Sequence, residues 1–147
     1  MNKIFEKALD FTIPWEGFIS NDVEDFGKLT IWGISSKYNP EEVKMMKRLI
    51  DEGDKNSAFQ IAKECYRKKY WLRAGCYKYE DRKAIVMFEF AVLPGIGALE
   101  KAFKEEDTWK DLLLKRIRYF SNKNNKKYIR GWVRRCVDLY DFLEERW

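Results

Sequence analysis

The stretch from residue 14 to residue 36 reads PWEGFISNDVEDFGKLTIWGISS. Within it, Glu16 follows an aromatic residue and precedes a glycine. Because a proline disfavours helical backbone at the residue before it, Pro14 predicts that the N-terminal helix ends or kinks here and leaves Glu16 at a helix end. A polar run rich in turn residues then leads to the β-favouring sequence LTIW at 29–32. This pattern predicts a small β-hairpin with one edge beside Glu16.

Asp25 and Thr30 are the candidates to act together with Glu16. Asp25 lies nine positions after Glu16, and Thr30 lies five positions after Asp25. Two carboxyl groups across a cleft suit glycosidic cleavage, since one protonates the leaving oxygen while the other activates water or stabilises the sugar cation. We assign Glu16 as the general acid, and we expect Trp15 and Phe18 to desolvate it and raise its pKa. Asp25 is the candidate second carboxylate, and the Thr30 hydroxyl would hold the attacking water.

Alternatives stay open at these positions. Asp22 and Glu24 compete with Asp25 for the role of second carboxylate, because the sequence does not determine the geometry of the loop. An aspartate is also common in turns without any catalytic role. Thr30 suits the interior of a strand equally well.

Three aromatic residues are candidates for binding sugar. Trp32, Tyr70 and Trp71 offer flat faces, although aromatic residues at such spacings also fill hydrophobic cores. A fourth candidate, Glu89, lies inside the nearly apolar run AIVMFEFAVL at 84–93. Because a buried carboxylate needs partners, we interpret Glu89 as a structural anchor rather than as a residue of the cleft.

These motifs, in this order, resemble the signature of the phage and prophage N-acetylmuramidases of glycoside hydrolase family 108. The resemblance is carried by Glu16, Gly17, Asp25, Gly27, Thr30, Gly33 and Ile34, and then by Tyr70-Trp71, residues 88–92, Gly95, Gly131-Trp132 and Arg134-Arg135. It implies a lysozyme-like endolysin that cleaves the β-1,4 bond between N-acetylmuramic acid and N-acetylglucosamine in bacterial peptidoglycan. It also implies a catalytic region at 1–93 and a C-terminal helical region at 94–147, which is similar to a peptidoglycan-binding segment and packs in the same globule.

Composition excludes several other classes of protein. The chain of 147 residues suffices for one domain, and its 46% hydrophobic residues are too many for a disordered protein. It contains no histidine, which excludes His-dependent triads and argues against a Cys/His metal site, so we expect no metal and no cofactor. The cysteines are widely spaced and are interpreted as buried, reduced residues; they are Cys65, Cys76 and Cys136.

The N-terminus does not have the pattern of a secretory signal. Glu6 and Asp10 interrupt its apolar part, and no run approaches the roughly 20 apolar residues of a membrane span. We therefore expect synthesis in the cytoplasm of the bacterial host, no membrane insertion, and action on the cell wall after release by a holin or a secretion partner. We also expect a monomer.

The remaining patterns predict mostly helices. Asn39-Pro40 with Glu42 predicts a capped helix start, and Gly53 predicts its end. Further helices are predicted at about 55–71, at 84–93 as the buried central helix (with a buried strand as the alternative), at 96–104, from the cap at Thr108 to about 121, and at about 125–146. The buried face of the last helix is assigned to Ile129, Trp132, Val133, Cys136, Val137, Tyr140 and Leu143. The fold class is therefore mainly α, lysozyme-like, in a single compact domain with a small β-hairpin beside the active-site cleft.

Residues 112–137 contain nine basic residues and no acidic one. We expect this segment to bind the anionic cell envelope, with a solvated helical surface as the plain alternative. A nucleic-acid-binding role is the rival from another class, because aromatic residues are interleaved with the cations, but it does not explain the motifs at 16–34. Within the same fold, a lytic transglycosylase would need only the glutamate, and a catalytically inactive wall-binding protein is the third alternative.

Overall fold

A computed structural model describes residues 2–22 and 28–145 of the chain. The described chain is mainly helical with one small antiparallel sheet, consistent with a lysozyme-like fold, so the predicted fold class is confirmed. The helices are α1 (Lys3–Glu16), α2 (Pro40–Asp51), α3 (Lys55–Tyr66), α4 (Asp81–Phe90), α5 (Ile96–Ala102), α6 (Trp109–Ser121) and α7 (Ile129–Glu145). The strands are β1 (Ile19–Asp22), β2 (Lys28–Ile31) and β3 (Ile34–Ser35), so a third strand extends the predicted hairpin.

By its internal contacts the chain divides into two compact units. One unit is Thr12–Lys69, and the other consists of Met1–Phe11 together with Tyr70–Trp147. None of the helices within the described residues has both the length and the apolar character needed to cross a bilayer.

The unit of residues 12–69 is built from the sheet and the pair α2 and α3. Pro40 occupies the first turn of α2, as predicted, but the predicted capping box does not form, because the Asn39 side chain makes no cap hydrogen bond. Its Nδ2 donates to the carbonyl of Ser35 at 3.3 Å, and its Oδ1 accepts from Lys69. Glu42, the expected second half of the box, forms an ion pair with Lys69 at 3.3 Å. Through their contacts with Lys69, Asn39 and Glu42 therefore connect the start of α2 to the segment that follows α3.

The other unit is organised around α4. Every residue from Lys83 to Phe90 is buried, which confirms a buried central helix and rejects the strand alternative. Phe88 packs edge-on against Phe5, with ring centroids 5.8 Å apart. Glu89 is fully buried, and its carboxylate accepts bonds of 2.7 and 2.8 Å from the guanidinium of Arg135 and one of 3.4 Å from Arg116. Glu89 is therefore a structural anchor, as interpreted from the sequence.

Helices α6 and α7 pack against each other in the same unit. Helix α6 begins with a complete capping box between Thr108 and Asp111, which confirms the predicted start. The buried residues of α7 are Arg135, Cys136, Leu139 and Leu143. The predicted face was wrong at Val137 and Tyr140, which are 48% and 41% exposed. The physical reason is that the ion pair with Glu89 allows a basic residue, Arg135, to occupy the buried stripe.

Candidate active site

Glu16 is the last residue of α1, and the helix ends there because of the glycine that follows. Pro14 lies inside the last turn of α1, so the helix does not end at Ile13. Gly17 has φ of 76°, the left-handed conformation that closes many helices, and its N–H donates to the carbonyl of Ile13 at 3.0 Å. Glu16 therefore lies at a helix end, as predicted, and it is half-buried.

The turn between β2 and β3 is the part of the sheet that meets Glu16. Ile31 pairs with Ile34, so the connection is the two-residue turn Trp32-Gly33. Both residues have positive φ, 47° and 81°, as a type I′ hairpin turn requires. A tryptophan rarely adopts this conformation, and here the Trp32 ring is packed between Phe18 and Phe59, with centroids 4.9 and 5.0 Å away. Tertiary packing therefore holds the turn in place.

Because Gly33 has no side chain, the Glu16 carboxyl can occupy the space beside the turn. A Cβ atom at Gly33 would lie 2.9 Å from Glu16 Oε2 and 2.6 Å from the hydroxyl oxygen of Tyr66. Both distances are shorter than real Cβ contacts, so any side chain here would displace one of the two oxygens. The missing side chain thus lets the carboxyl of α1 and the phenol of α3 approach the same point on the turn.

Tyr66 is the residue of this site that sequence reasoning missed. Its side chain is 2% exposed, and its hydroxyl donates to the carbonyl of Trp32 at 2.6 Å. Tyr66 lies four residues after Ala62 and eight after Ala58, which are buried on the same face of α3. The only sequence signal was thus membership of an apolar helical stripe, which an ordinary core residue shares.

The two aromatic residues expected to desolvate Glu16 are both partly exposed. Trp15 and Phe18 expose 37% and 36% of their surfaces. The ring of Phe18 lies on Trp32, and the ammonium group of Lys55 lies 4.1 Å from its centroid. At the turn, the Glu16 carboxyl approaches Gly33 near the Tyr66 hydroxyl.

The candidate for the second carboxylate lies in residues 23–27, outside the described part of the chain. Asp25 and its competitor Glu24 both fall in that gap, so their predicted roles stay predictions. Asp22 ends β1, and its backbone pairs with Lys28. Thr30 lies in the middle of β2, half-buried, paired with Ser20 on one side and with Ser35 on the other.

The aromatic residues predicted to bind sugar are mostly buried. Trp71 is 3% exposed and packs against Phe5 and Phe88, with centroids 5.4 and 6.0 Å away, which is the environment of a core residue. Trp32 is 6% exposed and supports the turn. Their burial argues against a stacking role for these two rings. Tyr70 is half-buried and keeps part of its surface accessible.

The basic residues of the segment 112–137 differ in their exposure and in their ion pairs. Arg116 and Arg135 are buried against Glu89, and Lys115 pairs with Asp107 at 2.7 Å. The other six cations of the segment are exposed, and we refer to them as the cationic surface: Arg118, Lys123, Lys126, Lys127, Arg130 and Arg134.

The cysteines have the properties of buried core residues. Cys65, Cys76 and Cys136 are free and buried. Burial raises the pKa of all three thiols, that of Cys76 to about 12. Among the described residues, no group of three or more Cys, Asp or Glu side chains is arranged to hold a metal ion.

A mainly helical fold with a small antiparallel sheet beside a half-buried glutamate is consistent with a lysozyme-like fold. The family model described as Glycosyl hydrolase 108 matches residues 9–95, which run from α1 past the end of α4 and include Glu16, Thr30, Gly33 and Tyr66. The chain belongs to this family. It is therefore a glycoside hydrolase, and in general terms a peptidoglycan hydrolase that acts on a carbohydrate substrate. Searches among curated proteins and among solved structures gave no match.

Proposed function

We propose that this glycoside hydrolase is an N-acetylmuramidase, which cleaves the β-1,4 bond between N-acetylmuramic acid and N-acetylglucosamine. The observation that carries the proposal is the placement of Glu16 at the end of α1, half-buried and held against Gly33 beside Tyr66. A carboxyl group that is fixed in position and partly shielded from water suits a general acid.

In the proposed reaction, Glu16 gives its proton to the glycosidic oxygen while the bond from that oxygen to the anomeric carbon breaks. Asp25 either stabilises the positive charge on the sugar or takes a proton from the attacking water. Thr30 would orient this water through its hydroxyl. The water oxygen bonds to the anomeric carbon, and its released proton returns the two carboxyl groups to their starting state. The roles of Asp25 and Thr30 rest on their spacing from Glu16 in the sequence.

The test is clearing of purified peptidoglycan by the wild type and by Glu16→Gln. Loss of the proton donor should lower the rate at least ~10²-fold, while the far-UV circular dichroism stays unchanged. Glu41→Gln, at an exposed position in the first turn of α2, is the matched control and should retain the wild-type rate. Clearing by Glu16→Gln at the wild-type rate would reject the mechanism.

Mass spectrometry of the released fragments separates hydrolysis from its closest alternative. A muramidase adds one water per cleavage and leaves a reducing end. A lytic transglycosylase would instead leave a 1,6-anhydro end, since the muramic acid's own hydroxyl is then the nucleophile.

We further propose that the chain works as a phage or prophage endolysin, made in the bacterial cytoplasm and given access to the wall by a separate release system. The cationic surface supports a role at the wall, because peptide carboxylates and phosphate polymers make many walls anionic. Cells that express the chain alone should keep their turbidity and lose it once their membrane is permeabilised. Lysis without permeabilisation would contradict the need for a release system.

A further inference from the structure

The outward face of α7 carries a distinctive distribution of charge. Arg130, Arg134, Val137, Asp141 and Glu144 recur at helical spacing, and all five are exposed. The two basic residues lie in the first half of Ile129–Glu145, and the two acidic residues lie in the second half. Val137 is the central residue of the helix. Glu144 also forms an ion pair with Lys110 of α6 at 2.9 Å, and both side chains stay exposed. The face is therefore basic at one end, acidic at the other and apolar in the middle.

An exposed apolar area lies next to this midpoint. Leu114 on α6 is 60% exposed, Val137 is 48% exposed and Tyr140 is 41% exposed. Between the two helices, these side chains border a groove of about 280 Å³ that is lined almost entirely by apolar atoms. The area thus offers both a protruding side chain, Leu114, and a depression beside it.

We propose that this face pairs two copies of the chain, with their α7 helices antiparallel about a two-fold axis at Val137. Arg130 and Glu144 are each seven residues from Val137, or about 10 Å along the helix in opposite directions. An antiparallel partner therefore brings Arg130 of one copy to Glu144 of the other. Arg134 and Asp141, three and four residues from Val137, meet in the same way.

The charge pattern selects a second copy over other partners. A two-fold interface joins the same patch on both subunits, so a patch that is basic at one end and acidic at the other is complementary to itself. A uniformly anionic partner, such as a wall polymer or a nucleic acid, would be repelled by Asp141 and would compete with Glu144 for Lys110. We expected a monomer from the sequence, and this face is the observation that changes the expectation.

The apolar centre and the charges have different roles in the proposed contact. Exposed ion pairs contribute little affinity, so burial of Leu114 and Val137 supplies most of it. The charges set the antiparallel direction and exclude wrong pairings. The dimer uses Arg130 and Arg134 of each cationic surface and leaves the other four cations exposed, namely Arg118, Lys123, Lys126 and Lys127. It also carries two candidate active sites, so binding of one copy to a wall polymer raises the effective concentration of the other.

Sedimentation equilibrium over a range of protein concentrations tests the proposal on the full chain. The wild type should show a concentration-dependent dimer. Two charge-reversal variants, Arg130→Glu with Arg134→Glu and Asp141→Lys with Glu144→Lys, should each be monomeric. Mixed in equal amounts, the two variants should form a heterodimer, because each then meets opposite charges. Formation of the heterodimer in the mixture also shows that both variants are folded.

Lys123→Glu with Lys126→Glu is the matched control, since it reverses two exposed cations that precede α7, and it should dimerise as the wild type does. A wild type that is monomeric at every concentration would overturn the proposal, as would a mixture of the two reversal variants that stays monomeric. Turnover of a short soluble oligosaccharide does not depend on the dimer in this proposal. The variant Asp141→Lys with Glu144→Lys, whose changes lie outside the cationic surface, should therefore keep it, and the muramidase proposal is tested separately.

Discussion

Glu16 and Glu89 are both sheltered glutamates, but they differ in how deeply they are buried. Glu89 is fully buried, and its carboxylate contacts the guanidinium groups of Arg116 and Arg135. Glu16 is half-buried at the end of α1, where its carboxyl meets the Gly33 backbone near the Tyr66 hydroxyl. A carboxylate enclosed in the core between two cations stabilises the packing around it, whereas a carboxyl that stays partly exposed at a helix end can meet a substrate. The depth of burial therefore separates the structural glutamate from the candidate catalytic one.

The largest expected effect on stability is at Glu89. Glu89→Gln removes the negative charge and leaves two buried guanidinium groups without their counter-ion, which should lower the free energy of unfolding by about 3–5 kcal/mol. Urea denaturation measures this loss. Glu16→Gln is the counterpart and should unfold at nearly the wild-type urea concentration. Equal destabilisation by both substitutions would break the distinction between the two glutamates.

The next largest effect is expected at the second carboxylate. Asp25→Ala should clear peptidoglycan much more slowly than Asp22→Ala or Glu24→Ala, because only Asp25 has the predicted spacing to Glu16 and to Thr30. Rates of the three variants on one substrate preparation make the comparison. Mild and equal losses would mean that the partner of Glu16 is another residue or that none is needed.

A smaller effect is expected at the turn that holds Glu16. Gly33→Ala places a methyl group within 2.9 Å of Glu16 Oε2 and should lower the clearing rate about 10-fold, a loss of ~1.4 kcal/mol of transition-state stabilisation. Gly53→Ala is the matched control, since Gly53 has a similar φ of 86° but nothing within 4 Å of the added methyl. Both variants carry the same backbone strain, so only the first should lose activity beyond its loss of stability.

The smallest effect is expected at the cationic surface. Changing Lys123, Lys126 and Lys127 to Gln should reduce co-sedimentation with cell walls but spare turnover of a soluble oligosaccharide. Wild-type binding should weaken as salt rises, because exposed charges are screened over about 8 Å at physiological ionic strength. The same changes at Lys3, Lys44 and Lys101, which are also exposed, are the control. Salt-independent binding would show that the surface does not act through charge.

Local signals were enough to predict most helices. The capping pattern at Thr108 and Asp111 and the apolar run of α4 depend on neighbouring residues, and the structure confirms both. The position of Glu16 at a helix end was also predicted, although the helix tolerates Pro14. These features need no information from distant parts of the chain.

The features that were missed depend on distant partners. Arg135 is buried because Glu89, 46 residues earlier, neutralises it, and this moved the buried face of α7 away from Val137. Tyr66 meets Trp32 across 34 residues, and nothing in α3 itself marks the tyrosine as part of a site. Sequence periodicity shows which positions are apolar, but it does not show which polar groups are paired once the chain has folded.

The three buried thiols have a consequence for how long the enzyme survives. Oxidation of a cysteine requires an accessible thiolate, and Cys65, Cys76 and Cys136 are buried with raised pKa values. In the folded protein they should therefore resist oxidants. Unfolding exposes all three at once and allows them to form non-native disulfides, which converts a reversible opening into permanent inactivation. The working lifetime in an oxidising medium is then set by the rate of unfolding rather than by the intrinsic reactivity of the thiols.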